Sequence, residues 1–153
     1  MLPLIIVTGP TTSKKSETAI ELAEKINSEI ISADSMQVYK YFDIGTAKVT
    51  PEDRSRVPHH LIDILEPDQE FSAFDFKTRA LDHTRELLNQ GKVPIITGGS
   101  GLYIKALCEG YDCAVQINPQ IKKQVQSDIL TKGLTKMHME LQQIDPDSAK
   151  RIP

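Results

Sequence analysis

Tryptophan is missing from this chain, cysteine occurs only twice and aromatic residues make up 5% of its 153 positions. Cys108 and Cys113 have four residues between them, a spacing that fits neither a zinc pair nor a redox C-x-x-C motif, and they read as idle or buried thiols in a reducing compartment. Excess charge is also missing. A formal net charge of -3 excludes bulk electrostatic binding of nucleic acid, so any such contact requires a local basic surface. The sequence has no hydrophobic run long enough to cross a membrane. Its opening, MLPLIIVTGP, lacks a basic leader and a cleavage site, and reads as a strand rather than a signal peptide. A cytoplasmic protein with no membrane partner is expected. Repeats and low-complexity segments are absent too. With 39% apolar and 25% charged residues, the chain has the composition and size of an ordinary globular domain with one good core.

The apolar run Leu4 to Val7, closed by Gly9-Pro10, has the profile of a strand buried on both faces. Ala19, Leu22, Ala23 and Ile26 then recur at helical spacing and predict an amphipathic helix from about Lys15 to Lys25. Further strands are predicted over Glu29 to Ala33, His60 to Leu65 and Val93 to Thr97, with a helix over Ser72 to Asn89 that ends at Gly91. Strands alternating with helices imply crossover units, and so an α/β fold with a mostly parallel sheet between two helical layers. From about Cys113 the chain turns polar and helical in period. Residues 1–112 are therefore expected to form the core, and 113–153 a helical segment, with Ile121, Val125, Ile129 and Leu130 on one face and an interruption at Gly133.

Ligands of such sheets gather outside the carboxyl ends of the strands. Three polar or glycine-rich clusters fall there: Gly9 to Ser16, Asp34-Ser35 and Gly98 to Gly101. The first, GPTTSKKS, is a strand-to-helix loop whose helix start offers free N–H groups and a partial positive charge. Lys15 adds a full charge for phosphate oxygens, and Ser16 is a candidate ligand of a magnesium ion. One position departs from the pattern G-x-x-x-x-G-K-[ST]: Lys14 stands where glycine is asked for. Glycine adopts left-handed dihedrals freely, whereas lysine there costs about 1–2 kcal/mol, offset in part by its charge. A weakened phosphate cradle is the reading, against an ordinary turn that binds nothing.

Asp34 admits two readings of equal weight from spacing alone. A carboxylate at the sheet edge can act as general base or hold a metal-bound water, and it can equally cap a turn. Ser35 and Gln37 offer hydroxyl and amide groups of the kind that read a base edge. In GGSGLYI, Ser100 alone reads as a helix cap. His59 and His60 have no partner at a diagnostic spacing and are expected to be structural or superficial. Lys122, Lys123, Lys132 and Lys136 read as a solvated helix face.

Taken together, GPTTSKKS, ISADSMQVYKYFDIGTAK, PHHLIDI, EFSAFDF and PIITGGSGLYIKAL resemble, in this order and spacing, the tRNA dimethylallyltransferases, or tRNA isopentenyltransferases. The resemblance runs from Met1 to about Tyr111, and DPDSAKRIP is similar to a segment after the first helices of the family's inserted domain. It implies a three-layer fold like that of P-loop kinases, plus the start of a helical inserted domain. The implied reaction moves a dimethylallyl group from dimethylallyl diphosphate to the exocyclic amine of the adenosine 3′ of the anticodon in tRNA. By the same resemblance Gly9, Pro10, Thr11, Thr12, Ser13, Lys14, Lys15 and Ser16 hold the donor's diphosphate, aided by Mg2+ at Ser16. Asp34 would take a proton from the amine or orient it, with Ser100, where the family has threonine, as its catalytic companion. Asp34, Ser35, Met36 and Gln37 would touch the anticodon stem-loop, and the protein would act as a monomer.

Two departures accompany the resemblance: Lys14 for the family's glycine, and a length roughly half that of family members, which implies an incomplete catalytic core. Two other readings therefore stand beside prenyl transfer. One is an inactive remnant that binds diphosphate or a nucleotide; the other is a small-molecule kinase using ATP, which the DSMQVYK and GGSGLY blocks oppose.

Overall fold

The structure is a computed structural model and describes residues 3–10, 13–109 and 118–152. It divides into two compact units, Met1–Cys113 and Ala114–Pro153.

In the first unit, four parallel strands lie in the order β1-β4-β2-β3: β1 (Ile5–Thr8), β2 (Ile30–Ser32), β3 (His59–His60) and β4 (Ile95–Gly98). Side chains alternate across the sheet, as the period of two demands. Ile30 and Ile95 pack with Ala19, Ile20 and Ala23 of helix α1 (Lys15–Ile26) on one face. Ile31 and Ile96 pack on the other with Phe76, Ala80 and Leu87 of α3 (Ala73–Asn89) and Tyr103 of α4 (Gly101–Cys108). Three layers result, as the alternation of strands and helices predicts. The Phe76 and Tyr103 rings stack at 4.6 Å, and burial pushes the Tyr103 hydroxyl up to about 12.

Helix ends follow local chemistry. Ser72 and Asp75 form a reciprocal capping box at the start of α3. At its end, Gly91 is left-handed at φ 75°, and the N–H groups of Gly91 and Lys92 donate to the carbonyls of Leu88 and Leu87. A short helix α2 (Pro51–Arg56) precedes β3. Its Thr50 cap and Pro51 at the first position are signals that apolar periodicity alone passes over.

The strand expected over His60 to Leu65 is only two residues long. Leu61 and Asp63 take left-handed dihedrals, φ 61° and 56°, which end the extended backbone, and Leu65 returns only as an isolated bridge to Tyr39. Cys108 is exposed and unbonded rather than buried. Cys113 lies outside the described residues.

The second unit holds α5 (Pro119–Lys132), α6 (Leu134–Ile144) and α7 (Pro146–Ala149), with Gly133 at φ 79° between the first two. His138 of α6 lies 3.1 Å from the Ala149 carbonyl at the end of α7. Among the described residues no helix is long and apolar enough to cross a membrane.

Candidate active site

The carboxyl ends of β2 and β4 and the start of α1 close around a pocket of about 250 Å3. Lys14, Lys15 and Ser16 line it from the start of α1, Asp34 and Gln37 from the turn after β2, and Thr97-Gly98 from the end of β4. Three segments far apart in sequence thus meet where the topology of an open parallel sheet places ligands.

The loop before α1 departs from the ordinary turn. Lys14 sits at φ 59°, ψ 19°, in the left-handed region where such loops use glycine, and among the described residues no side chain caps the helix start. The N–H groups of the first turn are therefore available to an anion. The Lys14 ammonium lies 3.6 Å from Glu17, and the Lys15 ammonium folds back to the Pro10 carbonyl at 3.3 Å. A Cβ on Gly9 would stand 2.9 Å from Ser13 Oγ, so the serine side chain would have to turn away. Pro10 and Ser13 complete the described part of the loop, with the Ser13 N–H donating to Pro10. Thr11 and Thr12 lie outside the described residues.

Asp34 caps a turn and also reaches the pocket. Its Oδ1 accepts the N–H groups of Met36 at 2.9 Å and Gln37 at 3.2 Å, which caps the turn, and the same side chain lines the pocket. This turn is tied to the segment after β4. The Ser100 hydroxyl accepts the Ser35 N–H at 2.9 Å, and the Ser100 N–H donates to the Ala33 carbonyl at 3.2 Å. A Cβ on Gly98 would collide with the Ala33 backbone, so only glycine lets β2 and β4 approach so closely here. Ser100 does not itself line the pocket; it holds the turn that carries Asp34.

Gln37 is buried at 8% exposure, and its amide nitrogen donates to the carbonyls of Thr46 and Ala47 at 3.3 Å each. Met36 instead faces a second, open groove with Tyr41, Phe42, Ile44 and Gly45, next to the pocket and sharing Asp34 with it. Lys48, whose side chain is 4% exposed, closes this loop through Asp43 at 2.8 Å, Asp63 at 2.6 Å and the Tyr39 carbonyl at 2.8 Å. Burial alone would raise the Asp63 carboxyl, but hydrogen bonds from Lys48 and Arg54 outweigh it and hold the group below its ordinary value.

His59, expected to be structural or superficial, lines the pocket. Its Nδ1 lies 2.7 Å from the Val57 carbonyl, and its buried Nε2 has no hydrogen-bond partner among the described residues. The Thr97 hydroxyl is in the same condition. Burial pushes the His59 imidazole below its ordinary value, with Arg54 adding to the effect. Strand pairing across the sheet brings His59 here, and nothing in its local sequence signals that. His60 faces elsewhere, 2.7 Å from Glu29 and stacked on His83.

Among the described residues no group of three or more His, Cys, Asp or Glu side chains could hold a metal. A serine hydroxyl beside a phosphate loop nevertheless suits magnesium, which keeps most of its waters and takes substrate phosphate oxygens in place of a protein cage.

Residues 37–153 match the family model described as IPP transferase. The chain belongs to the IPP transferase family. It is 47% identical, over 99% of its length, to a tRNA dimethylallyltransferase of Syntrophobacter fumaroxidans, of which it covers 44%, and 49% identical over 97% to one of Carboxydothermus hydrogenoformans, of which it covers 48%. The tRNA isopentenylpyrophosphate transferase of Bacillus halodurans superposes with a TM-score of 0.72 at 37% identity, over 100% of this chain and 51% of that one. A eukaryotic dimethylallyltransferase described as acting on tRNA superposes at 0.79 and 30% identity, over 98% of this chain and 37% of that one. The chain thus spans about half the length, or less, of the relatives it matches. These relatives share the α/β architecture read from the sequence, and their alignment extends over the loop from Gly9 to Ser16 that the family model leaves out.

Proposed function

We propose that this chain carries the donor site and general base of a prenyl transfer from dimethylallyl diphosphate to the exocyclic amine of the adenosine 3′ of the anticodon in tRNA. One observation carries the reading: the phosphate loop, Asp34 and the end of β4 share a single pocket. Relatives named tRNA dimethylallyltransferase support the reaction class.

The residues divide the chemistry. Lys14, Lys15 and the N–H groups at the start of α1 bind the diphosphate and oppose the negative charge that grows on it as the allylic C–O bond breaks. Ser16 would hold magnesium, which when bound neutralises part of that charge. The Asp34 carboxylate accepts a hydrogen bond from the adenine amine and receives its proton as the new C–N bond forms. Two hydrogen bonds from the turn orient that carboxylate, and Ser100 fixes the turn. The open groove of Met36, Tyr41 and Ile44 gives apolar surface beside Asp34, and contact there with the anticodon loop and its extruded base is part of the proposal. The protein works as a monomer in the cytoplasm on this reading.

Asp34→Asn is the test. It should retain inorganic diphosphate binding and lose transfer of labelled dimethylallyl to an anticodon stem-loop RNA. Transfer equal to that of the unaltered chain would refute the general-base role.

A further inference from the structure

The floor of the pocket has a chemical pattern that the phosphate loop and Asp34 do not explain. In a parallel sheet, residues in register on adjacent strands point to the same face. Ile30 pairs with both Ile95 and His59, and two residues on, Thr97 pairs with both Val7 and Ser32. Ile30, Ile95 and Val7 all pack on the side of α1. His59, Thr97 and Ser32 therefore face the same side, at the edge and carboxyl end where α1 no longer covers the sheet, and all three line the pocket. Among the described residues, the hydroxyl of Thr97, itself 6% exposed, and the buried Nε2 of His59 have no hydrogen-bond partner. Such groups are rare in folded proteins away from ligand sites.

We propose that His59 is an anion-contacting residue of this pocket, whose Nε2 takes up a proton when a diphosphate enters and donates it in a hydrogen bond to a diphosphate oxygen. The proposal rests on the donor-site reading above and names a residue which that reading does not use. The geometry requires the proton. Nδ1–H donates to the Val57 carbonyl at 2.7 Å, so in the neutral ring Nε2 presents a lone pair, which would repel a phosphate oxygen. Only the imidazolium presents an N–H from both nitrogens.

The charges around the ring are mixed. Arg54 of α2 and His60 of β3 disfavour the charged ring and Asp53 of α2 favours it, while Lys14 and Lys15 share the pocket from α1 and Asp34 is the one carboxylate among the described lining residues. Burial first, with Arg54 and His60 adding to it, holds the imidazole of the empty pocket below its ordinary value. A bound diphosphate reverses the sign of the local field and favours the charged ring. Thr97 can donate or accept as the occupant requires.

Calorimetric titration of the chain with inorganic diphosphate tests this, in buffers of different ionisation enthalpy from about pH 6 to 8. Binding to the unaltered chain should take up a proton, and its affinity should fall with pH by up to about tenfold per unit more than that of His59→Gln. Protons exchanged by the diphosphate itself appear in both and cancel in the difference. Equal proton counts and parallel pH profiles would overturn the proposal. A second reading needs no variant: the His59 ring resonances of the unaltered chain should move to imidazolium positions on saturation with diphosphate, and resonances that stay neutral would overturn it. Proton-linked diphosphate binding without prenyl transfer would defeat the donor-site reading and leave the diphosphate-binding role of His59 standing, whereas transfer without that proton would defeat His59 alone.

Discussion

The Ser100 hydroxyl accepts the backbone N–H of Ser35 at 2.9 Å, across 65 residues of sequence. This bond joins the ends of β2 and β4 at the point where Asp34 enters the pocket. Ser100→Ala should leave that N–H without its partner and lower stability by about 1 kcal/mol. It should also slow prenyl transfer more than it weakens diphosphate binding, because the diphosphate contacts proposed above lie on α1. Ser100→Thr keeps the hydroxyl and should preserve both. Urea midpoints and turnover rates of the two variants check this, and an alanine variant as active and stable as the original would remove the positioning role.

Gly98 has its Cβ space occupied by the Ala33 backbone. Gly98→Ala must push β2 from β4 or break the Ala33 N–H bond to the Thr97 carbonyl at 2.7 Å. A loss of about 3 kcal/mol or more is expected, at the upper end for overpacking. Denaturant unfolding measures it, and a change under about 1 kcal/mol would show that the strands part easily.

Lys14 stores strain in the loop before α1. A left-handed lysine costs about 1–2 kcal/mol, while glycine gives back part of that through its freer unfolded chain. Lys14→Gly should therefore stabilise the fold by about 0.5–1 kcal/mol, the exposed pair with Glu17 contributing little. An unchanged or lower urea midpoint would show that the loop accommodates lysine without strain.

Asp63 gives a pH signature. Its folded carboxyl lies below the unfolded value, so its contribution is complete above about pH 4 and is lost as pH falls through the folded value. Asp63→Asn tolerates the same left-handed backbone but leaves Lys48 buried without that anion. It should cost about 1–3 kcal/mol at pH 7, from charged hydrogen bonds discounted for partial exposure, and the difference from the original should shrink toward pH 2. A difference independent of pH would assign the loss to packing.

Local chemistry explains what the sequence reveals and what it hides. The left-handed strain at Lys14 is legible because the loop pattern asks for glycine there, and α3 because Ser72, Asp75 and Gly91 bracket an amphipathic run. Asp34 is legible as a strand-end carboxylate, but not the fact that one side chain caps a turn and lines a pocket at once. The end of β3 is hidden because His60 to Leu65 looks extended, while tertiary contacts turn Leu61 and Asp63 left-handed. His59 is hidden for a longer-range reason: its place in the pocket depends on pairing with Ile30, which no local period encodes.

The most direct test is transfer of labelled dimethylallyl from its diphosphate to two anticodon stem-loop RNAs, one with adenosine 3′ of the anticodon and one with inosine, which lacks the exocyclic amine. Label in the adenosine RNA alone, with none delivered by Asp34→Asn, is the predicted result. Equal labelling of both RNAs, or no labelling by a folded chain that binds the donor, would contradict prenyl transfer at this pocket.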